Sequence, residues 1–296
     1  MNGVICINKP QDFTSFDVIA KMRGMTGVRK MGHAGTLDPM ATGVLPLLLG
    51  TATKACDILP NEEKRYTAGF RFGVETDTQD STGTVLSTSD IPVARQALES
   101  ALKAFEGEID QLPPMYSAVR VNGQRLYDLA RQGRNVEREP RRICIKQLTI
   151  LEYDESTREG EMDIRCSKGT YVRTILHDVG EVLGAGGIMT SLVRTESSGF
   201  TLDDCITMEQ AQRLADCHGF EEVLIPPERL FANCPRIRLS KPQERMFLNG
   251  VRLDLNRLRY QKQDNLLHAV YSADGVFLGV AKTALEPMEL RVTAFF

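Results

Sequence analysis

Apolar and polar positions along the chain sort it into strands, helices and irregular segments. Residues 3–8 begin with the apolar run Gly3-Val4-Ile5-Cys6-Ile7, which predicts a buried strand. Thr14-Ser15-Phe16-Asp17 then supplies a capping-box-like start for a helix reaching about Gly27. Segment 32–43 holds three glycines and Pro39, so it is expected to be irregular and to present Asp38 from a turn, anchored by an apolar strand over 44–49. Residues 66–72 alternate as a strand, and the polar run 75–83 that follows reads as a loop carrying Asp77 and Asp80. A helix is expected over 93–105, and Leu112-Pro113-Pro114 then makes a stiff break. Beyond it, Val121-Asn122-Gly123-Gln124 contains an Asn-Gly hairpin signal, so an exposed arm is expected over about 115–142.

Further on, Met162-Asp163-Ile164-Arg165-Cys166-Ser167 alternates, and Val172, Ile175, Leu176, Val179, Val182 and Leu183 fall at helical spacing. Gly169-Thr170-Tyr171 is therefore a strand-to-helix corner. Thr207-Met208-Glu209-Gln210 opens another capped helix, and Ile225-Pro226-Pro227 closes a large unit with a stiff linker. Short strands at 267–271 and 276–281, joined through Ala273-Asp274-Gly275, predict a small β-rich module after a boundary near residue 230. The 296 residues are long for one folded unit, which agrees with two domains, 1–230 and 231–296. Together these elements predict an α+β chain whose main sheet is mixed or largely antiparallel and flanked by helices and loops.

Composition narrows the function. The apolar fraction of 42% is ordinary for a globular protein, and no stretch is long and apolar enough to span a membrane, so a cytoplasmic protein is expected. Seven scattered cysteines without a C-x-x-C pair argue for reduced, buried thiols, and four histidines at no recognised ligand spacing argue against a metal. The net charge of −3 does not mark a nucleic-acid binder, but its distribution is uneven. Lys21, Arg23, Arg29 and Lys30 lead up to Asp38 with no acid among them. Arg120, Arg125, Arg131, Arg134, Arg138, Arg141 and Arg142 outnumber Asp128, Glu137 and Glu139 in the arm, and a third basic tract covers 236–262. Each tract alone reads as solvated surface; three together make phosphate-facing stripes.

An Asp before Pro in a Gly-rich loop is by itself a turn former, and Tyr66 and Tyr171 alone would be half-buried packing residues. The longer pattern changes that reading. Gly32-His33-Ala34-Gly35-Thr36-Leu37-Asp38-Pro39 through Gly43-Val44-Leu45 resembles the catalytic motif of the TruB family, the bacterial tRNA pseudouridine-55 synthases. The resemblance continues, in the family's order, through Asn8-Lys9-Pro10, Lys64-Arg65-Tyr66, residues 77–83, Pro113-Pro114-Met115-Tyr116-Ser117-Ala118, Ser167-Lys168-Gly169-Thr170-Tyr171-Val172-Arg173 and Leu192-Val193-Arg194-Thr195.

The resemblance implies a pseudouridine synthase fold with a PUA-like carboxyl module, tRNA as partner through its T-arm, and a monomer that needs neither cofactor nor metal. It implies Asp38 as catalytic carboxylate, Arg173 as its ionic partner, Tyr171 as base or proton relay near C5, and Tyr66 stacked on the extracted uracil. His33, which would prop open the RNA loop, Lys64, Asp80, Arg120, Arg131 and Leu192 are implied on the RNA-binding side, and Asp80 is also implied in the active-site charge network. Asp38 has three chemical options: addition to the pyrimidine ring, attack on the anomeric carbon, or abstraction of a sugar proton to give a glycal. The chain departs from the pattern at Gly187-Ile188-Met189 and Leu192-Val193-Arg194, where a peripheral RNA contact is lost. Two rivals stand against this reading. His33-Ala34-Gly35-Thr36 is a degenerate nucleotidyltransferase signature that lacks its second histidine, and a non-catalytic tRNA-binding or folding protein would use the basic tracts alone.

Overall fold

The computed structural model describes every residue except Asn61 and Glu62. Its largest sheet has ten strands. Eight run in the spatial order Cys205–Ile206, Gly3–Lys9, Thr42–Leu49, Gly187–Ser197, Lys64–Phe72, Glu159–Cys166, Arg141–Asp154 and Gly107–Gln111. Gly3–Lys9 runs parallel to Cys205–Ile206, and Gly187–Ser197 runs parallel to Thr42–Leu49; the other neighbours along this path are antiparallel. The expected mixed, largely antiparallel sheet is what forms.

Strands with continuous apolar runs are covered on both faces, as such sequences require. In Gly3–Lys9, Ile5 and Ile7 enter the main core beneath the helices Ser15–Thr26 and Val172–Val182, while Val4 and Cys6 face a second cluster. Thr42–Leu49 divides the same way, with Leu45, Leu47 and Leu49 on one side and Val44 and Leu48 on the other. That second cluster also takes Leu230 and Phe231, together with Tyr271, Val280 and Ala294 from a five-stranded sheet built from Arg236–Arg238, Leu253–Asp254, Leu267–Tyr271, Phe277–Leu285 and Met288–Phe295. The segment expected to be a stiff linker is thus packed: Pro227–Phe231 is a turn of 3-10 helix seated between the two sheets.

The helix Ser15–Thr26 starts at Thr14, whose hydroxyl accepts the amide of Asp17 while Asp17 accepts the amide of Thr14, and it ends at Gly27 with φ 69°. Four expectations are corrected. Segment 32–43 is not wholly irregular, because Met31–His33 pairs antiparallel with Leu47–Leu49. The 75–83 loop opens in a strand, Val74–Thr76, paired with Val85–Thr88. The arm covers 112–140 rather than 115–142, since Arg141 and Arg142 pair with Gln111 and Asp110, and Arg142 also meets the carboxylates of Glu108 and Asp110. Cys217 is exposed. Among the described residues no helix is long and apolar enough to cross a membrane.

Candidate active site

Asp38 stands on an irregular segment whose main chain is gripped from both sides. The buried Arg194 side chain donates from Nε to the Val44 carbonyl at 2.8 Å, from Nη1 to Thr36 at 3.2 Å and from Nη2 to Gly35 at 3.0 Å. Lys9, also fully buried, donates from Nζ to the carbonyls of Pro10 at 2.9 Å, Phe13, and Pro39 at 3.1 Å. Between them, the Ser15 hydroxyl accepts the Leu37 amide at 2.8 Å and donates to the Leu37 carbonyl at 3.2 Å. The residues flanking Asp38 are therefore fixed through their backbone, and its side chain is left to do something else.

Two glycines of the motif follow from the same packing. Gly43 has φ 102°, and a Cβ there would lie 2.2 Å from the Arg194 carbonyl oxygen across the parallel strand pair. Gly35 has φ 93°, and its Cβ would lie 2.9 Å from Lys64 Nζ. Gly43 demands glycine by backbone conformation and by space, whereas at Gly35 the demand is the backbone conformation, since the Lys64 tip can move aside.

The Asp38 carboxylate is 38% exposed, and its Oδ2 meets Arg173 Nη1 at 3.0 Å. Arg173 is buried at the start of the helix Val172–Val182, and the same Nη1 lies 3.4 Å from Asp80 Oδ2. Its Nη2 donates to the Tyr116 carbonyl at 2.6 Å. Asp80 is itself locked, its Oδ1 accepting the Thr78 hydroxyl at 2.7 Å, the Thr82 amide at 3.0 Å and the Thr82 hydroxyl at 2.6 Å. One guanidinium thus serves two carboxylates, one sunk and saturated, the other at the surface. That arrangement orients the Asp38 carboxylate while leaving it partly open to solvent.

The remaining residues divide. Tyr171 caps the same helix without a side-chain bond; its backbone exchanges two hydrogen bonds with the Gln111 amide group, and its ring lies 5.9 Å from the Arg173 guanidinium. Tyr66 sits cross-strand from Arg194 and hydrogen-bonds to it; burial pushes its phenol up to about 12. Its residue exposure is 6%. His33 is half-buried at the end of its strand, and burial, with the Arg194 and Lys64 cations near it, lowers its pKa so that the ring is neutral. Lys64 reaches over Gly35.

Two residues of the expected set are buried. Leu192 is 7% exposed and packs in the main core opposite Ala68, so it walls the site from within. Asp80 is 3% exposed and belongs to the charge cluster. Arg120 and Arg131 are exposed on the arm, where a hairpin through Asn122 and Gly123 leads into the short helix Leu126–Arg131. They line an open groove of 610 Å³ with Arg125, Gln124, Gln132 and Asp128.

Sequence reasoning gave no role to Arg194, Lys9 or Ser15, although the first two carry a visible signal, a cation set in or against an apolar strand. Lys9 also yields a prediction. Burial pulls its ammonium down to about 8, against the opposing pull of Asp38 and Asp12 and with a further lowering from Arg194. Below that pH the ammonium holds the Pro39 carbonyl; above it the charge and one donor are lost. Activity is therefore expected to fall on an alkaline limb near pH 8, and Lys9→Arg, charged throughout, should move that limb upward by about a unit or more. A pH–rate profile unchanged by the substitution would remove Lys9 from the site's charge balance.

The chain is similar to known proteins over most of its length. Residues 23–172 match the family described as "TruB family pseudouridylate synthase (N terminal domain)", and 173–232 match "tRNA pseudouridylate synthase B C-terminal domain". The sheet formed from 236–295 lies outside both. The chain is 39% identical to tRNA pseudouridine synthase B of Clostridium tetani over 98% of each chain. It is 40% identical to that of Lachnoclostridium phytofermentans, over 95% of this chain and 94% of the relative. In three dimensions it is similar to a chain of a Cbf5-Nop10-Gar1 complex, with a TM-score of 0.77, 25% identity and coverage of 98% of this chain and 83% of that one.

Proposed function

This chain belongs to the TruB family of pseudouridylate synthases, and from that premise we propose that it isomerises a uridine of tRNA to pseudouridine, with Asp38 as the catalytic carboxylate. The target we assign is uridine 55 in the T-loop, reached by flipping the nucleotide out of its stack. The enzyme acts as a monomer in the cytoplasm. We divide the chain into a catalytic unit, 1–230, and a small RNA-binding module, 231–296.

The observation that carries the reading is the asymmetry between two carboxylates on one arginine. Asp80 is buried and saturated with donors, whereas Asp38 faces outward on a rigid loop. A group held this way loses little freedom when it meets a reacting carbon.

The reaction breaks the bond from N1 to the ribose and forms one from C5. The base rotates in place, C5 loses its proton and N1 gains one, so the atoms balance without an outside oxidant or reductant. Asp38 either adds to the ring, attacks the anomeric carbon or removes a sugar proton; each uses its carboxylate, which Arg173 holds in place. Tyr171, beside Arg173 at the helix start, accepts the C5 proton directly or relays it. Tyr66 forms the floor against which the uracil rests, with Leu192 packed behind it in the core, Arg120 and Arg131 on the arm meet T-arm phosphates, and His33 and Lys64 contact the opened loop. The non-catalytic alternative leaves the Asp38–Arg173–Asp80 cluster without a purpose.

The test is release of tritium from tRNA labelled at uracil C5. The native protein should release about one tritium per tRNA at completion, and folded protein that binds tRNA but releases none sinks the reading. Tyr171→Phe, if that phenol handles the C5 proton, should slow release by about 10²–10⁴-fold; a rate within a few-fold of native would move the proton to another acceptor.

A further inference from the structure

The arm and the catalytic cluster are joined through one residue. Tyr116 lies near the arm's first root, and its carbonyl accepts Arg173 Nη2 at 2.6 Å. Its side chain turns the other way, and the hydroxyl donates to Asp77 Oδ2 at 3.1 Å. Asp77 is not a loose surface carboxylate. Its Oδ1 accepts the Thr84 amide at 2.8 Å, and its own amide donates to the Thr84 carbonyl at 3.1 Å. Asp80, three residues on in the same loop, faces Arg173. The loop is tightly wound: a Cβ on Gly83 would lie 2.3 Å from Thr78 Oγ1 and 2.5 Å from Asp77 Oδ1.

These contacts close a ring. Asp38 pairs with Arg173, Arg173 with Asp80 and the Tyr116 carbonyl, and the Tyr116 hydroxyl with Asp77, which returns to Asp80 through the loop. We propose that the Tyr116–Asp77 hydrogen bond is a latch that fixes the arm's root against the active-site loop, and that both side chains are positioning residues for Asp38, acting through Arg173. The inference rests on the catalytic reading above and extends it to two side chains whose hydrogen bond is to each other rather than to Asp38.

The physical reason is economy of orientation. Arg173 has its Nη1 shared between two carboxylates and its Nη2 on one backbone carbonyl, while its Nε has no partner. The Tyr116 carbonyl therefore sets the guanidinium plane, and that plane sets the Asp38 carboxylate. With the hydroxyl latched, the arm's root does not drift when the basic groove farther along engages RNA. With it released, the carbonyl follows the arm, and Asp38 loses its alignment by tenths of an ångström while its charge is unchanged. A displacement of that size costs rate more than binding. The bond is half-buried and ends on a carboxylate, and burial of the phenol adds little to it, so its loss is expected to unsettle the site without unfolding the chain.

The experiment compares native protein with Tyr116→Phe and Asp77→Ser. Tyr116→Phe keeps the carbonyl on Arg173 and deletes the latch. Asp77→Ser keeps an acceptor short enough for the Thr84 amide but out of reach of Tyr116. Single-turnover tritium release at saturating tRNA is measured beside tRNA Kd and thermal midpoint. Each variant should slow the single-turnover rate by about tenfold, the scale of one hydrogen bond to a charged group. Kd should stay within about twofold and the midpoint should hold, and the double variant should be no slower than the slower single one. Native rates in both variants, or a loss confined to Kd, would overturn the latch. A native protein that releases no tritium would instead overturn the catalytic reading. A variant that fails to melt cooperatively is replaced in the comparison by the other, since either one breaks the same bond.

Discussion

Asp38→Asn is expected to lower the rate of tritium release by at least about a thousandfold while leaving tRNA binding intact. The two halves of that expectation come from different parts of the structure. Activity is lost because an amide is neither a nucleophile nor a base, and each of the three routes open to Asp38 needs one of these. Binding survives because the loop does not use the Asp38 side chain to hold its shape; Arg194, Lys9 and Ser15 grip the backbone on either side of it. Arg173 keeps Asp80 and the Tyr116 carbonyl, so no buried cation is stranded. Removing one negative charge from a surface that meets a polyanion should if anything tighten tRNA binding, by a few-fold at low salt. Residual activity within about tenfold of native would show that another group does the chemistry. A collapse of binding together with activity would show that Asp38 is a structural turn residue, as its Asp-Pro setting alone suggests.

How far the sequence displays this site depends on which interactions are local. The Thr14–Asp17 and Thr207–Gln210 caps and the Asn122-Gly123 turn are set within four residues, and each appears where the sequence places it. Asp38 and Arg173 were paired in the expectation through the family resemblance, and they lie 3.0 Å apart. Burial was the less legible quantity. A motif records which residues belong together, not which way they face: Leu192 turns into the core, while Asp80, expected in the charge network, lies beneath Arg173. The arm's end was placed two residues late because Arg141 and Arg142 continue the basic run while already paired in the sheet. Nothing in the local pattern joins Tyr116 to Asp77, 39 positions away, since that contact exists only once the arm's root folds over the loop.

The second large effect concerns stability, and it falls on Arg194. Arg194→Met is expected to destabilise the protein by about 3–5 kcal/mol, read from denaturant unfolding. The side chain is wholly buried, burial lowers its pKa, and among the described contacts its hydrogen-bond partners are three backbone carbonyls and the Tyr66 phenol. No carboxylate pairs with it there, so its charge is held by dipoles, and the dipoles belong to the loop that carries Asp38. Methionine fills much of the volume but takes the donor from the buried Val44 carbonyl, at roughly 1–3 kcal/mol, and from the part-buried carbonyls of Gly35 and Thr36, each at less. The loop has one escape, which is to move outward toward water. That movement relieves part of the cost and takes Asp38 with it, so the folded fraction of the variant should lose a further factor on the order of 10² in rate, as misplacement of a reacting group by about 1 Å does. Arg194→Lys separates charge from geometry. An ammonium restores the charge but not the planar fork that meets Val44 on one side and Gly35 and Thr36 on the other, so it should recover less than half of the lost stability and little of the rate. If lysine restores both, the site needs only a buried cation. If methionine costs under about 1 kcal/mol, the loop is held elsewhere, and the rigidity assigned to Asp38 has another source.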